Sequence, residues 1–198
     1  MGVASTFFQL RGFNRLNIWE KGLMAENGAK TATAPATGKR EREQADHHVS
    51  REQLIELLNE DLAREYQSII AYVVYSQVLK GAEYMSIAGE LEKHAGEELE
   101  HALTISKMID YLGGMPTVQP KPVRTSERVE DMLRFDLEAE NETIRNYRQR
   151  VRQCEALGEY AIAEHIREIL VDEQEHQIDL ATALGEDVPN VTMPEEMA

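Results

Sequence analysis

Glu65 followed by Glu98-x-x-His101, and Glu140 followed by Glu173-x-x-His176, write one carboxylate and imidazole pattern twice in a chain of 198 residues. In each copy the lone Glu precedes the paired Glu by 33 residues (98 − 65 and 173 − 140). A Glu three residues before a His places both side chains on one helix face, one turn apart. Two such pairs and two further Glu residues, on four facing helices, are the set that holds two transition metals side by side in a bundle core. Four carboxylates against two divalent cations, with neutral imidazoles, sum to zero charge. Oxygen-rich ligation with one nitrogen per metal suits iron, or manganese as the alternative, better than structural zinc. A purely structural bundle would leave four carboxylates unpaired in its core, at a cost of several kcal/mol each.

The elements that must carry these residues are helices. From Ser50 onward Ala, Leu, Ile, Glu and Arg dominate, and there is little strand chemistry, so the fold class is all-α. Ser50-x-x-Gln53 is a capping box, and Leu54, Leu58, Leu62, Ile69 and Tyr72 continue at helical spacing, predicting a first helix over about 51–80 that stops at Gly81. A second reads from about Glu83 to Leu112 before Gly113-Gly114, with Ile87, Leu91, His94, Glu98, His101 and Ile105 on one stripe. A third should start after a Thr125-Ser126 cap and run to Gly158, and a fourth should close at Gly185. Glu65, Glu98, Glu140 and Glu173 share the apolar stripes of their helices and point inward.

Short glycine-marked turns make the first two helices, and the last two, antiparallel hairpins. Between them Pro116, Pro120 and Pro122 rule out a continuous helix over 113–126, and 14 extended residues reach roughly 40 Å, about the length of each rod. The expected architecture is an antiparallel four-helix bundle over 50–185 with a long crossover, a disordered arm over 1–49 and a short tail over 186–198. Glu20-Lys21-Gly22 before Met24 resembles a translated ribosome-binding site, so the natural start is expected at Met24 and residues 1–23 are read as non-native.

Charge and cysteine usage narrow the chemistry. Residues 51–198 hold 14 basic and 31 acidic groups, a net of −17, which repels nucleic acid and anionic membrane and concentrates small cations. Cys154 is the only cysteine, which excludes an internal disulfide and Cys-x-x-Cys iron, and fits the cytoplasm. No apolar run approaches the 18 residues of a membrane span, and no secretory signal is read.

The segments Glu98-Leu99-Glu100-His101-Ala102, Met132 to Glu140 and Asp172-Glu173-Gln174-Glu175-His176 resemble the bacterioferritin branch of the ferritin-like superfamily, over about residues 50–184. The resemblance implies a ferroxidase centre that oxidises Fe(II) with O2 or H2O2 for iron storage and oxidative-stress protection. Glu65 and Glu140 would be terminal ligands, Glu98 and Glu173 bridges, and His101 and His176 would each cap one of two irons per subunit. Tyr72, seven residues after Glu65, matches the tyrosine beside such centres, with a core aromatic as the other reading. Haem is not expected, because the methionine that binds it in bacterioferritins is Leu99 here. Thr143 replaces the extra glutamate of rubrerythrin-like peroxidases, and the tail is too short for the fifth helix of 24-subunit shells. A homo-oligomer is expected, either a smaller shell of the Dps-type mini-ferritin kind or a dimer, with 12 subunits favoured over 24. A non-storage dinuclear oxidase or catalase-like protein is the alternative.

Glu97, Asp172 and Asp136 are candidates to orient the imidazoles from outside the ligand set. His94, four residues before Glu98, reads as a core histidine or an accessory iron contact.

Overall fold

A computed structural model describes residues 48–192. Residues 1–47 of the arm expected over 1–49, with the expected start at Met24, and residues 193–198 lie outside the described residues. Among the described residues there is no strand, and four long helices form an all-α bundle: α1 (Arg51–Val78), α2 (Met85–Tyr111), α3 (Val129–Leu157) and α4 (Tyr160–Leu184). The capping box is formed, with Gln53 N donating to Ser50 Oγ at 3.2 Å and Ser50 N donating to Gln53 Oε1 at 2.8 Å. A single 3-10 turn, Ala82–Tyr84, replaces the first residues expected in α2.

The start of α3 differs from expectation. Its N-cap is Arg128, with no side-chain cap, and the helix begins at Val129. Ser126 is committed elsewhere, accepting from Arg128 N at 3.1 Å and donating to Asp131 Oδ2 at 2.9 Å. That local turn delays the helix.

The crossover runs along α1. Asn59 Nδ2 donates to Met115 O at 3.2 Å, Lys121 N to Ala63 O at 2.9 Å, Gln67 Nε2 to Pro122 O at 2.9 Å, and the Tyr75 hydroxyl to Arg124 O. Progress along the crossover matches progress along α1, so α3 starts where α1 ends and the two run antiparallel. Gly158, at φ 79, takes the left-handed conformation that ends α3 and turns the chain into α4.

The apolar interior is in two parts. Leu54, Leu58, Leu62, Ile105, Ile109 and Ile166 fill one end of the bundle, and Tyr75, Leu91, Leu133, Leu137 and Leu180 the other. At mid-length, buried polar side chains face one another from all four helices.

Candidate metal centre

All six residues singled out by spacing meet at mid-length, and each of the six is buried. They fall into two quartets, Glu65, Glu98, His101 and Glu173, and Glu98, Glu140, Glu173 and His176, in each of which the ligand atoms lie within 4.8 Å of one another. Glu98 and Glu173 belong to both. His101 Nδ1 stands 3.4 Å from oxygens of Glu65, Glu98 and Glu173, and His176 Nδ1 stands 3.1 Å from Glu98 and 3.5 Å from Glu173.

These separations are of ion-pair length, yet both Nδ1 atoms, Glu65 Oε2, Glu98 Oε1 and both Glu173 oxygens lack a hydrogen-bond partner. The polar atoms crowd shared points without bonding each other. Buried groups left so are costly, and a divalent cation at each point would satisfy them. The donor set of one imidazole nitrogen and several carboxylate oxygens therefore fits iron or manganese.

Two layers of partners hold the six. His101 Nε2 contacts Asp172 Oδ2 at 3.2 Å, and His176 Nε2 contacts Glu97 Oε2 at 2.9 Å. Each acid immediately preceding one motif thus serves the histidine of the other. With Nε2 engaged, Nδ1 is left for the centre. The Tyr72 hydroxyl donates to Glu140, and the Tyr147 hydroxyl donates to Glu65, again across hairpins. Tyr147 escaped the sequence reading, although it follows Glu140 by seven residues as Tyr72 follows Glu65.

Asp136 has another environment. It is buried and its Oδ2 has no hydrogen-bond partner, while the acids behind the imidazoles are Glu97 and Asp172. Its counterpart one repeat earlier, Asp61, is bound by the buried Arg150, with Arg150 Nε donating at 2.6 Å. His94 is buried beside His176, ring centroids 4.0 Å apart, and its Nε2 contacts Asp179 Oδ2 at 3.3 Å.

Protonation follows from burial and proximity. Burial, then the charges of Glu98 and Glu173, push the Glu65 carboxyl well above the carboxylate range, and burial with Glu173 and Glu98 does the same to Glu140. Burial also opposes ionisation of Glu98 and Glu173, but contacts from His101 and His176 outweigh it and hold both below that range. Burial disfavours charge on the imidazoles, yet the surrounding glutamates raise His101 far above its usual value and push His176 up to about 12. His94 is lowered to about 4 by burial and by His176, which outweigh the opposing pull of Asp179 and Glu97.

Fold and site together define a four-helix bundle with a carboxylate and imidazole cluster at its centre. Residues 55–188 match the ferritin-like domain, and the chain belongs to that family. Among curated relatives, a bacterioferritin of Brucella melitensis is 28% identical over 141 residues, covering 68% of this chain and 88% of the relative. A bacterioferritin of Desulfovibrio desulfuricans is 31% identical over 124 residues, covering 62% and 69%. A ferritin-like, diiron-carboxylate protein of Bacillus anthracis superposes with a TM-score of 0.65 at 34% identity, covering 68% of this chain and 96% of that one. A bacterioferritin-related dodecameric thioferritin of Bacteroides fragilis superposes at 0.64 with 27% identity, covering 76% and 94%.

Proposed function

We propose that the protein is a ferroxidase, taking two ferrous ions per chain at Glu65, Glu98, His101, Glu140, Glu173 and His176 and oxidising them with O2 or H2O2. The observation that carries this reading is the sharing of Glu98 and Glu173 by two adjoining quartets. Shared carboxylates fix two cations as neighbours, so that each supplies one electron to the oxidant and the reduction proceeds in a two-electron step. Glu65 and Glu140 are the terminal ligands, steadied by Tyr147 and Tyr72, while Asp172 and Glu97 hold the imidazoles.

Iron storage and detoxification in the cytoplasm is the setting we propose, in a shell of twelve subunits. The dodecameric relative and the kinship with bacterioferritins support it. Among the described residues no helix is long and apolar enough to cross a membrane. Haem has no place in this reading, since Leu99 lacks a ligating atom and is 52% exposed on α2.

Anaerobic addition of Fe(II), followed by air, should give a fast ferric absorbance that saturates at two irons per chain, then slower mineral growth. Glu98→Ala or Glu173→Ala should abolish the fast phase. Wild-type protein that binds no iron would refute the proposal. A mass near twelve subunits by light scattering supports storage, whereas a dimer supports a non-storage dinuclear oxidase of iron or manganese.

A further inference from the structure

We propose that Glu90, His94 and Asp179 form a third, mononuclear cation site on the α2 and α4 face, which takes a divalent first-row transition metal. Their ligand atoms lie within 4.8 Å of one another. Glu90 and His94 are four residues apart on α2 and so share a face, and Asp179 comes from α4. One imidazole with two carboxylates suits Mn(II), Fe(II), Co(II) or Zn(II) better than the all-oxygen preference of calcium and magnesium.

Packing does not require this histidine. The two hairpins repeat with an offset of 75 residues (140 − 65 and 173 − 98), which pairs the two copies of every ligand. The same offset pairs His94 with Ile169, a core residue, and Asp179 with Thr104. An aliphatic side chain is thus the fold's other solution at this register. His94 is only 1% exposed, yet its Nε2 has one long contact, to Asp179, and its Nδ1 has no hydrogen-bond partner. A buried imidazole so poorly satisfied is expensive unless something else engages it.

The two carboxylates open the site to solvent. The Asp179 and Glu90 side chains are 40% and 46% exposed, and Lys93 Nζ lies 3.9 Å from Glu90 and 3.6 Å from Glu97 as a competing cation. His94 also forms a candidate trio with Glu97 and His176. One imidazole therefore spans the distance between solvent and the second quartet. The site would stage cations on their way to the centre, a role that rests on the ferroxidase reading, while the site itself does not.

Mn(II) titration of the full chain, followed by electron paramagnetic resonance, tests it. Wild-type protein should bind three Mn(II) per chain, two as an exchange-coupled pair and one giving an isolated six-line signal. His94→Ile, the residue found at the repeat-related position, should lose the isolated signal and keep the pair. Asp179→Asn, a change at a half-exposed position with little bearing on folding, should do the same. Lys93→Ala, by removing the competitor, should tighten the isolated site by up to about tenfold. Binding of only two ions, or an isolated signal that survives both His94→Ile and Asp179→Asn, overturns the proposal. An isolated, His94-dependent signal without a coupled pair would instead refute the dinuclear reading and leave the third site standing.

Discussion

Tyr147 on α3 donates its hydroxyl to the carboxylate of Glu65 on α1, so the tyrosine of one hairpin steadies the lone glutamate of the other. Tyr72 and Glu140 form the reciprocal pair. Both hydroxyls are held far above the usual tyrosine range, by burial first and then by those same glutamates, and remain protonated donors.

Tyr147→Phe should weaken the cation of the His101 quartet, and Tyr72→Phe that of the His176 quartet, each by roughly 10- to 100-fold, the usual effect of removing a ligand's outer partner. Co(II) titrations in a double-mutant cycle check the crossing. Tyr147→Phe should be strongly non-additive with Glu65→Gln and additive with Glu140→Gln, and the opposite result would sink the assignment.

Metal-free protein should lose stability as pH rises from about 6 to 9. Through that window unfolded glutamates, with an ordinary value of 4.5, are already ionised, and unfolded histidines lose their protons around 6.5. In the folded cluster the values of Glu65, Glu140, His101 and His176 are all raised, so protons stay there to higher pH than in the unfolded chain. The native state then binds more protons than the unfolded one, and stability falls with pH. Those four protons match the charge of two divalent cations, so loading should release up to four protons per pair of metals. Thermal denaturation with and without Mn(II) should show a gap that widens with pH, and a constant gap would contradict the protonation scheme.

Asp172→Asn and Glu97→Gln should each lower metal affinity by about 10- to 100-fold without a large change in stability, since both acids are partly exposed. Because the pairs cross, Asp172→Asn should perturb His101, and Glu97→Gln should perturb His176. Histidine NMR resonances of the metal-free variants distinguish the two cases.

Arg150→Ala should destabilise the bundle by up to about 3 kcal/mol, because it removes one of the two guanidinium partners of the buried Asp61 carboxylate and leaves only Arg64. Metal stoichiometry should stay at the wild-type value. Urea denaturation of Arg150→Ala beside the double change Asp61→Leu, Arg150→Met tests the cause, with the double variant expected to recover most of the loss.

The cluster of six side chains was readable from sequence because a carboxylate on an apolar stripe is conspicuous, and four of them at matched intervals are more so. The hairpins and crossover followed from Gly81, Gly158 and the prolines at 116, 120 and 122. What stayed hidden depends on register between helices. Glu97 and Asp172 were recognisable as outer partners, but which histidine each one serves is decided by how α2 and α4 align, and that alignment crosses them. The contact of His94 with Asp179 has the same origin, for His94 meets Asp179, Glu97 meets His176 and His101 meets Asp172 along one antiparallel seam. Ser126 misled for a different reason: a serine before a helix caps it only if its hydroxyl is not already bound within a tighter turn.

Each quartet draws on both hairpins, and so do the partners behind it. A chain still on the ribosome, with α1 and α2 complete and α4 unmade, has Glu65, Glu98 and His101 but neither Glu173 nor Asp172. It owns no complete ligand set. On the proposed ligation, cation loading reports finished folding, and an unfinished copy does not gather a metal pair before the bundle that encloses it has closed.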